Sequence, residues 1–159
     1  MNILLLCNRP KKKSEADTVI SYLDAFTNYS NNKFFEISLL HHFPSKINLN
    51  KFDAVILHYS LPIGKHLDFY YSKELINKLI KYRGLKITFL QDEYSSVHTC
   101  CKNLKMLGID ILFTCVPDKE IQKVYPSTTL PKLKIVNILT GCTPESFLKY
   151  KKTPIRNRS

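Results

Sequence analysis

Short apolar runs alternate with amphipathic stretches along most of this chain. Residues 3–7, Ile-Leu-Leu-Leu-Cys, form the first run and are bounded by Asn8, Arg9 and Pro10, which predicts a buried strand. Residues 15–29 follow a helical period, with Ala16, Val19, Ile20, Leu23 and Phe26 on one stripe. Ser14 and Asp17 nearly match a capping box at its start. Further strand-like runs cover residues 34–40, 54–57, 85–90, 109–113 and 133–139. Helical periods cover residues 72–82, 95–107 and 118–125, and residues 144–150 suit one or two further turns. Residues 61–71 carry Pro62 and Gly64 and read as a loop, while Gly84 and Gly108 read as helix stops.

Strands that alternate with helices, and are apolar on both faces, imply a parallel sheet covered on each side. The expected fold class is α/β. It is a three-layer Rossmann-like or flavodoxin-like domain with a six-stranded, mostly parallel sheet in the order 2-1-3-4-5-6. Residues 1–150 make this domain, and residues 151–159 are a basic tail or the start of an interdomain linker. The switch point then falls between strands one and three, where loops 8–13 and 58–66 flank one crevice.

Ligands in such sheets sit beyond the carboxyl ends of the strands, which directs attention to the residues that follow each run. The fourth run ends in Gln91, Asp92, Glu93 and Tyr94, two adjacent carboxylates in a chain with few acids. Asp92 and Glu93 are candidates for a general base or for accepting hydrogen bonds from sugar hydroxyls. The competing reading is structural: acids at a helix start complement its dipole, and Ser95 and Ser96 are good caps. His58 and Tyr59 end the third run, and His58 is a candidate proton shuttle or anion ligand against a plainer role as a buried, hydrogen-bonded histidine. Asn8 and Arg9 follow the first run and Gly141 follows the sixth, all three as candidate substrate contacts. His41, His42, His66 and His98 are weaker candidates.

Several classes are excluded by what these loops lack. The chain has only four glycines, and none lies after the first strand, so a dinucleotide-binding turn is absent there. No phosphate-binding P-loop sequence and no serine nucleophile elbow occurs. A receiver domain needs acids where this chain has Cys7, Asn8 and His58. The five cysteines include no Cys-x-x-Cys pair and read as buried free thiols in a reducing cytosol, with no metal site and no cofactor expected.

The formal charge of +11 comes mostly from lysines scattered over helices and both chain ends. That spread suits a solvated surface, an anionic membrane surface or phosphorylated ligands. It does not suit specific nucleic-acid binding, which clusters Arg and Lys around exposed aromatics. No apolar run approaches the ~20 residues of a membrane span, and the first run is too short for a signal peptide. A cytoplasmic location is expected.

Residues 89–94 (Phe-Leu-Gln-Asp-Glu-Tyr), 107–117 (Leu-Gly-Ile-Asp-Ile-Leu-Phe-Thr-Cys-Val-Pro) and 124–126 (Val-Tyr-Pro) together carry a resemblance. With the opening residues 1–6 and residues 52–58, they resemble the amino-terminal half of bacterial glycosyltransferases with two Rossmann-like domains, the GT-B type. The resemblance covers essentially the whole chain, through motifs that recur in many α/β folds. It implies an acceptor-side domain that works with a second, donor-binding domain holding the nucleotide-sugar. It also implies that residues 8–13, 58–60 and 91–94 line this side of the cleft between the two domains, with a carbohydrate or other acceptor as partner. It assigns no catalytic base. The glycine-rich loop and acidic donor motif of the second domain are not in this sequence. The expectation is therefore an acceptor-side half, inactive without a donor-binding domain. The alternative is a stand-alone flavodoxin-like binding or regulatory module without catalysis.

Overall fold

The structure, a computed structural model, describes residues 1–11, 17–39, 43–91 and 95–139. Its strands are β1 (Asn2–Cys7), β2 (Lys33–Ser38), β3 (Ala54–Leu57), β4 (Leu85–Phe89), β5 (Ile111–Thr114) and β6 (Lys134–Asn137). They form one six-stranded sheet in the order β2-β1-β3-β4-β5-β6, and every neighbouring pair is parallel. The helices are α1 (Asp17–Asn28), α2 (Leu67–Tyr70), α3 (Lys73–Lys81), α4 (Val97–Leu107) and α5 (Ile121–Val124). This is the doubly wound, Rossmann-like arrangement that the alternating pattern predicts.

Two apolar clusters lie on the two faces of the sheet. On one face Leu4, Leu6, Val55, Leu57 and Leu112 pack against Leu75 and Leu79 of α3 and Leu104 and Leu107 of α4. On the other, Ile3, Leu5, Ala54 and Ile56 pack against Leu23 of α1. The strands record this division. All of β3 and residues 3–7 of β1 are buried, as the central strands of a covered parallel sheet must be. β4 and β5 instead alternate, with Lys86, Thr88, Leu112 and Thr114 buried and Leu85, Ile87, Phe89, Ile111 and Phe113 only partly so. Among the described residues, α1 alone covers the second face.

Polar anchors fix the amino ends of the strands. Asp53, just before β3, accepts the Asn2 N–H at 2.7 Å, and Asp110, just before β5, accepts the Lys86 N–H at 2.8 Å. Each carboxylate thereby satisfies an amide near the start of the neighbouring strand. Lys86 points into the core and donates its Nζ to the carbonyls of Leu79 and Tyr82, both at 3.3 Å, closing the end of α3. Burial pulls its ammonium below its ordinary value, while the charge of Asp110 opposes that pull. Lysine at a helix carboxyl end also complements the helix dipole.

Helix starts and stops differ in detail from the pattern. Ser72 caps α3 as such a residue should, accepting the Leu75 N–H at 3.2 Å. Ser96 does not cap α4 through its side chain. It adopts a left-handed φ of 56°, so the helix begins at Val97, two residues later than the periodicity implies. The stretch read as a loop, residues 61–71, contains the single turn α2, which buries Leu67. Gly84 has a spatial reason to be glycine, since an added Cβ would lie 2.1 Å from the Tyr82 hydroxyl. The capping pair Ser14–Asp17, the turns at residues 144–150 and the tail at residues 151–159 fall outside the described residues in whole or in part.

Gly108 ends α4 at φ 66°, and its N–H bonds back to the helix. A Cβ there would meet Lys86 Nζ at 3.0 Å, so the substitution adds crowding to backbone strain. Gly108→Ala is expected to destabilise the fold by about 1–2 kcal/mol. Urea unfolding at neutral pH measures this, and an unchanged midpoint would contradict it.

Candidate functional site

All six strands deliver their carboxyl ends to one edge of the sheet, and two clefts open there. The larger, 520 Å³, lies at the ends of β3 and β4. Tyr59, His66, Tyr70, Gln91, Ser95 and Tyr125 are among its lining residues, with Lys65 at its rim. The smaller, 420 Å³, lies beside β1 and includes Asn8, Phe43, Leu61, Phe69 and Glu74. Tyr70 lines both and forms the wall between them.

The loop after β3 is held rigidly. The Asn8 N–H donates to Ser60 Oγ at 2.8 Å, tying the end of β1 to this loop. The Leu61 N–H returns to the His58 carbonyl at 2.9 Å, making a tight turn. The buried Tyr71 hydroxyl donates to the Leu61 carbonyl at 3.0 Å. Asn103 of α4 donates to the carbonyls of Ile63 and Gly64 at 2.7 and 3.0 Å, so the cleft's floor is fastened to the helix behind it. The cleft thus joins an apolar floor of Ile63, Leu90 and Val97 to a few placed polar side chains, the usual make-up of a ligand site.

The candidate residues fall in different places. Tyr59 and Gln91 line the larger cleft and Asn8 the smaller one. Asp92, Glu93, Tyr94 and Gly141 lie outside the described residues, as do His41 and His42. The amino end of α4, residues 95–97, supplies part of the larger cleft's wall. His66 lines the same cleft, and His98 lies on the exposed side of α4.

Arg9 is engaged in an ion-pair network. Its Nε and Nη2 form a fork onto Glu36 at 2.5 and 2.6 Å, and its Nη1 reaches Asp24 at 3.0 Å. One guanidinium thus joins the loop after β1 to both β2 and α1. Glu36 is pushed up by burial, but the hydrogen bonds and charge of Arg9 outweigh this and hold its carboxyl below the ordinary value. The geometry gives Arg9 a positioning role.

His58 is fully buried, and its side chain lies on the α1 side of the sheet. Ring centroids of Tyr22 and Phe26 from α1 stand 5.3 and 6.3 Å away, and Tyr59 stands at 4.1 Å. The Ser60 N–H donates to Nδ1 at 3.2 Å, which assigns the proton of the neutral ring to Nε2. Nε2 has no hydrogen-bond partner among the described residues. Burial drives the imidazole down to about 3, with Glu36 opposing and Arg9 reinforcing the shift. At neutral pH His58 is an uncharged packing residue. Cys7 is equally inert as a nucleophile, because burial and then the Glu36 charge push its thiol up to about 12.

Cys7 and Cys101 are free thiols among the described residues. No group of three metal-ligating side chains occurs among the described residues. No described helix is long and apolar enough to cross a membrane. The fold and its edge clefts define the chain as a doubly wound α/β domain with a preformed crevice at its carboxyl edge. In comparisons with known proteins, no family model, no curated protein and no solved structure matches the chain.

His58 couples stability to pH. Below the ordinary histidine value of 6.5, the unfolded chain binds a proton that the folded chain refuses until about 3. The unfolded state then holds more protons, so stability is full above 6.5 and falls as pH drops toward 3. The limiting slope for one group is about 1.4 kcal/mol per pH unit. Urea midpoints for the parent are expected to fall between about pH 7 and pH 5, and His58→Phe to flatten that fall. An equal slope in both proteins would contradict the assignment.

Proposed function

We propose that this chain is the acceptor-side domain of a glycosyltransferase with two Rossmann-like domains. It receives a polyhydroxylated acceptor, while a separate domain binds the nucleotide-sugar donor. The observation that carries this reading is the 520 Å³ cleft at the ends of β3 and β4. Its lining combines an amide, hydroxyls and tyrosine rings, namely Gln91, Ser95, Ser96, Tyr59 and Tyr70. Amides and hydroxyls each donate and accept, so such a wall matches sugar hydroxyls, which do the same. Tyrosine offers a flat apolar face with a polar tip, suited to a ring with apolar and polar edges.

The make-up of the turn after β1 supports this division of labour. The turn after β1 carries Asn8, Arg9 and Pro10 where a dinucleotide fold has glycines. Arg9, the nearest arginine to that turn, is saturated by Glu36 and Asp24. Neither buried His58 nor buried Cys7 serves as acid, base or nucleophile at neutral pH. On this reading catalysis needs groups from residues 92–94 or from the partner domain. Positioning two substrates together supplies much of the rate of such a transfer, so this domain alone is inactive.

Calorimetry with a panel of oligosaccharides and with nucleotide-sugars tests the proposal. An oligosaccharide is expected to bind the chain, and Gln91→Ala to weaken it roughly tenfold with an unchanged urea midpoint. Tight binding of a nucleotide-sugar, with no response to any oligosaccharide, would overturn it.

A further inference from the structure

The smaller cleft at the carboxyl edge shares a wall with the larger one. Leu61 lines the smaller cleft, and the next two residues, Pro62 and Ile63, line the larger. Tyr70 lines both. One ridge, the turn after β3 with Tyr70 beside it, therefore separates cavities of 520 and 420 Å³. Each is large enough to be a small-molecule site by itself, since such sites run to about 300–1,000 Å³.

The ridge is fixed from below. Leu67 of α2 and Tyr71 just after it are both buried, and the Tyr71 N–H bonds to the Leu67 carbonyl at 2.9 Å. The Tyr71 hydroxyl donates to the Leu61 carbonyl, which ties α2 to the turn after β3. Residues four apart share one helix face, so anchoring 67 and 71 turns residue 69 outward. Phe69 is accordingly 80% exposed, beside the smaller cleft. Its ring stands edge-on to Tyr70 at 5.0 Å, with 80° between the planes. A lone exposed aromatic is ordinary. This one adjoins a cavity and the ring that divides it from a second cavity.

Charge decides what the smaller cleft suits. Glu74 is the one charged side chain among its described lining residues, and Lys78 Nζ lies 3.1 Å from Glu74 Oε1. The same ammonium stands 5.4 Å from the centre of the Phe43 ring. Lys78 thus supplies the cation that the carboxylate and the Phe43 ring would otherwise offer to attract from a ligand. What remains is Asn8, Ser72 and the Phe69 ring. An amide and a hydroxyl each donate and accept, and a flat ring offers an apolar face. These are the chemistries that the larger cleft also carries, in Gln91, Ser95 and Tyr59.

We propose that the two clefts are consecutive subsites for one glycan chain, which crosses the ridge at Tyr70 and lays a sugar ring on Phe69 in the smaller cleft. This rests on the acceptor reading of the larger cleft and adds a length to the acceptor. Phe69 is then the residue that makes a longer chain bind better than a single sugar.

Calorimetry on the full chain with malto- and chito-oligosaccharides tests this, the readout being the ratio of tetrasaccharide to monosaccharide affinity. Phe69→Ala is expected to lower that ratio roughly fivefold with an unchanged urea midpoint, because the side chain is exposed. Phe69→Tyr keeps the flat ring and is expected to keep the ratio. Gln91→Ala is expected to weaken both lengths together. A ratio unmoved by Phe69→Ala, or lost in Phe69→Tyr as well, would overturn the proposal. The acceptor reading survives that result where Gln91→Ala still weakens the tetrasaccharide. Failure of every member of both series to bind would overturn the two together.

Discussion

A parallel sheet has two apolar faces, and the need to cover both organises this molecule. Parallel strands need crossovers, crossovers of one hand sort themselves by direction, and the direction of each strand step decides which face receives its helix. Four steps toward β6 load one face with Leu49 of the β2-to-β3 connection, α3, α4 and the residues around Tyr125. One step toward β2 places α1 on the other. The imbalance is visible strand by strand, in β1 and β3 buried on both sides and in β4 and β5 buried on alternate residues.

The same constraint builds the candidate site. Parallel strands end together, so the loops after β1, β3 and β4 meet at one edge. Arg9 clamps Glu36 and Asp24 there, and this clamp fixes the first loop against two elements at once. Gln91, Ser95, Ser96 and Tyr59 line the open cleft, with Lys65 beside them. His58 and Tyr59 follow the last residue of β3 and lie ring to ring at 4.1 Å, and both rings meet Tyr22 of α1. The neutral His58 ring among Tyr22, Phe26 and Tyr59 belongs to the packing of α1.

The strands and their order were legible in the sequence because each is a compact apolar run punctuated by Gly, Pro or Asn. Alternation also carries a signal for His58: Ala54, Ile56 and His58 share parity, so His58 faces the way Ala54 and Ile56 do, under α1. The Arg9 clamp was not legible, since Glu36 lies 27 residues away and only strand pairing brings it near. The start of α4 was not legible either. Ser96 has the composition of a cap, but its left-handed backbone turns the side chain away from that task. Which face the described helices favour is not legible, because every strand reads as apolar, whichever of its two faces a helix reaches.

The account centres on the larger cleft as the place where a hydroxylated acceptor binds. Backbone amide shifts of the isotope-labelled chain, recorded while an oligosaccharide is added, test this most directly. The account predicts that the shifts concentrate at Tyr59, Gly64, Gln91 and residues 95–97, all in the wall of that cleft. It predicts quiet amides along α1 and around Ile87 and Phe113 in the groove on the other face. Shifts centred on α1 and that groove, with the cleft unmoved, would contradict it.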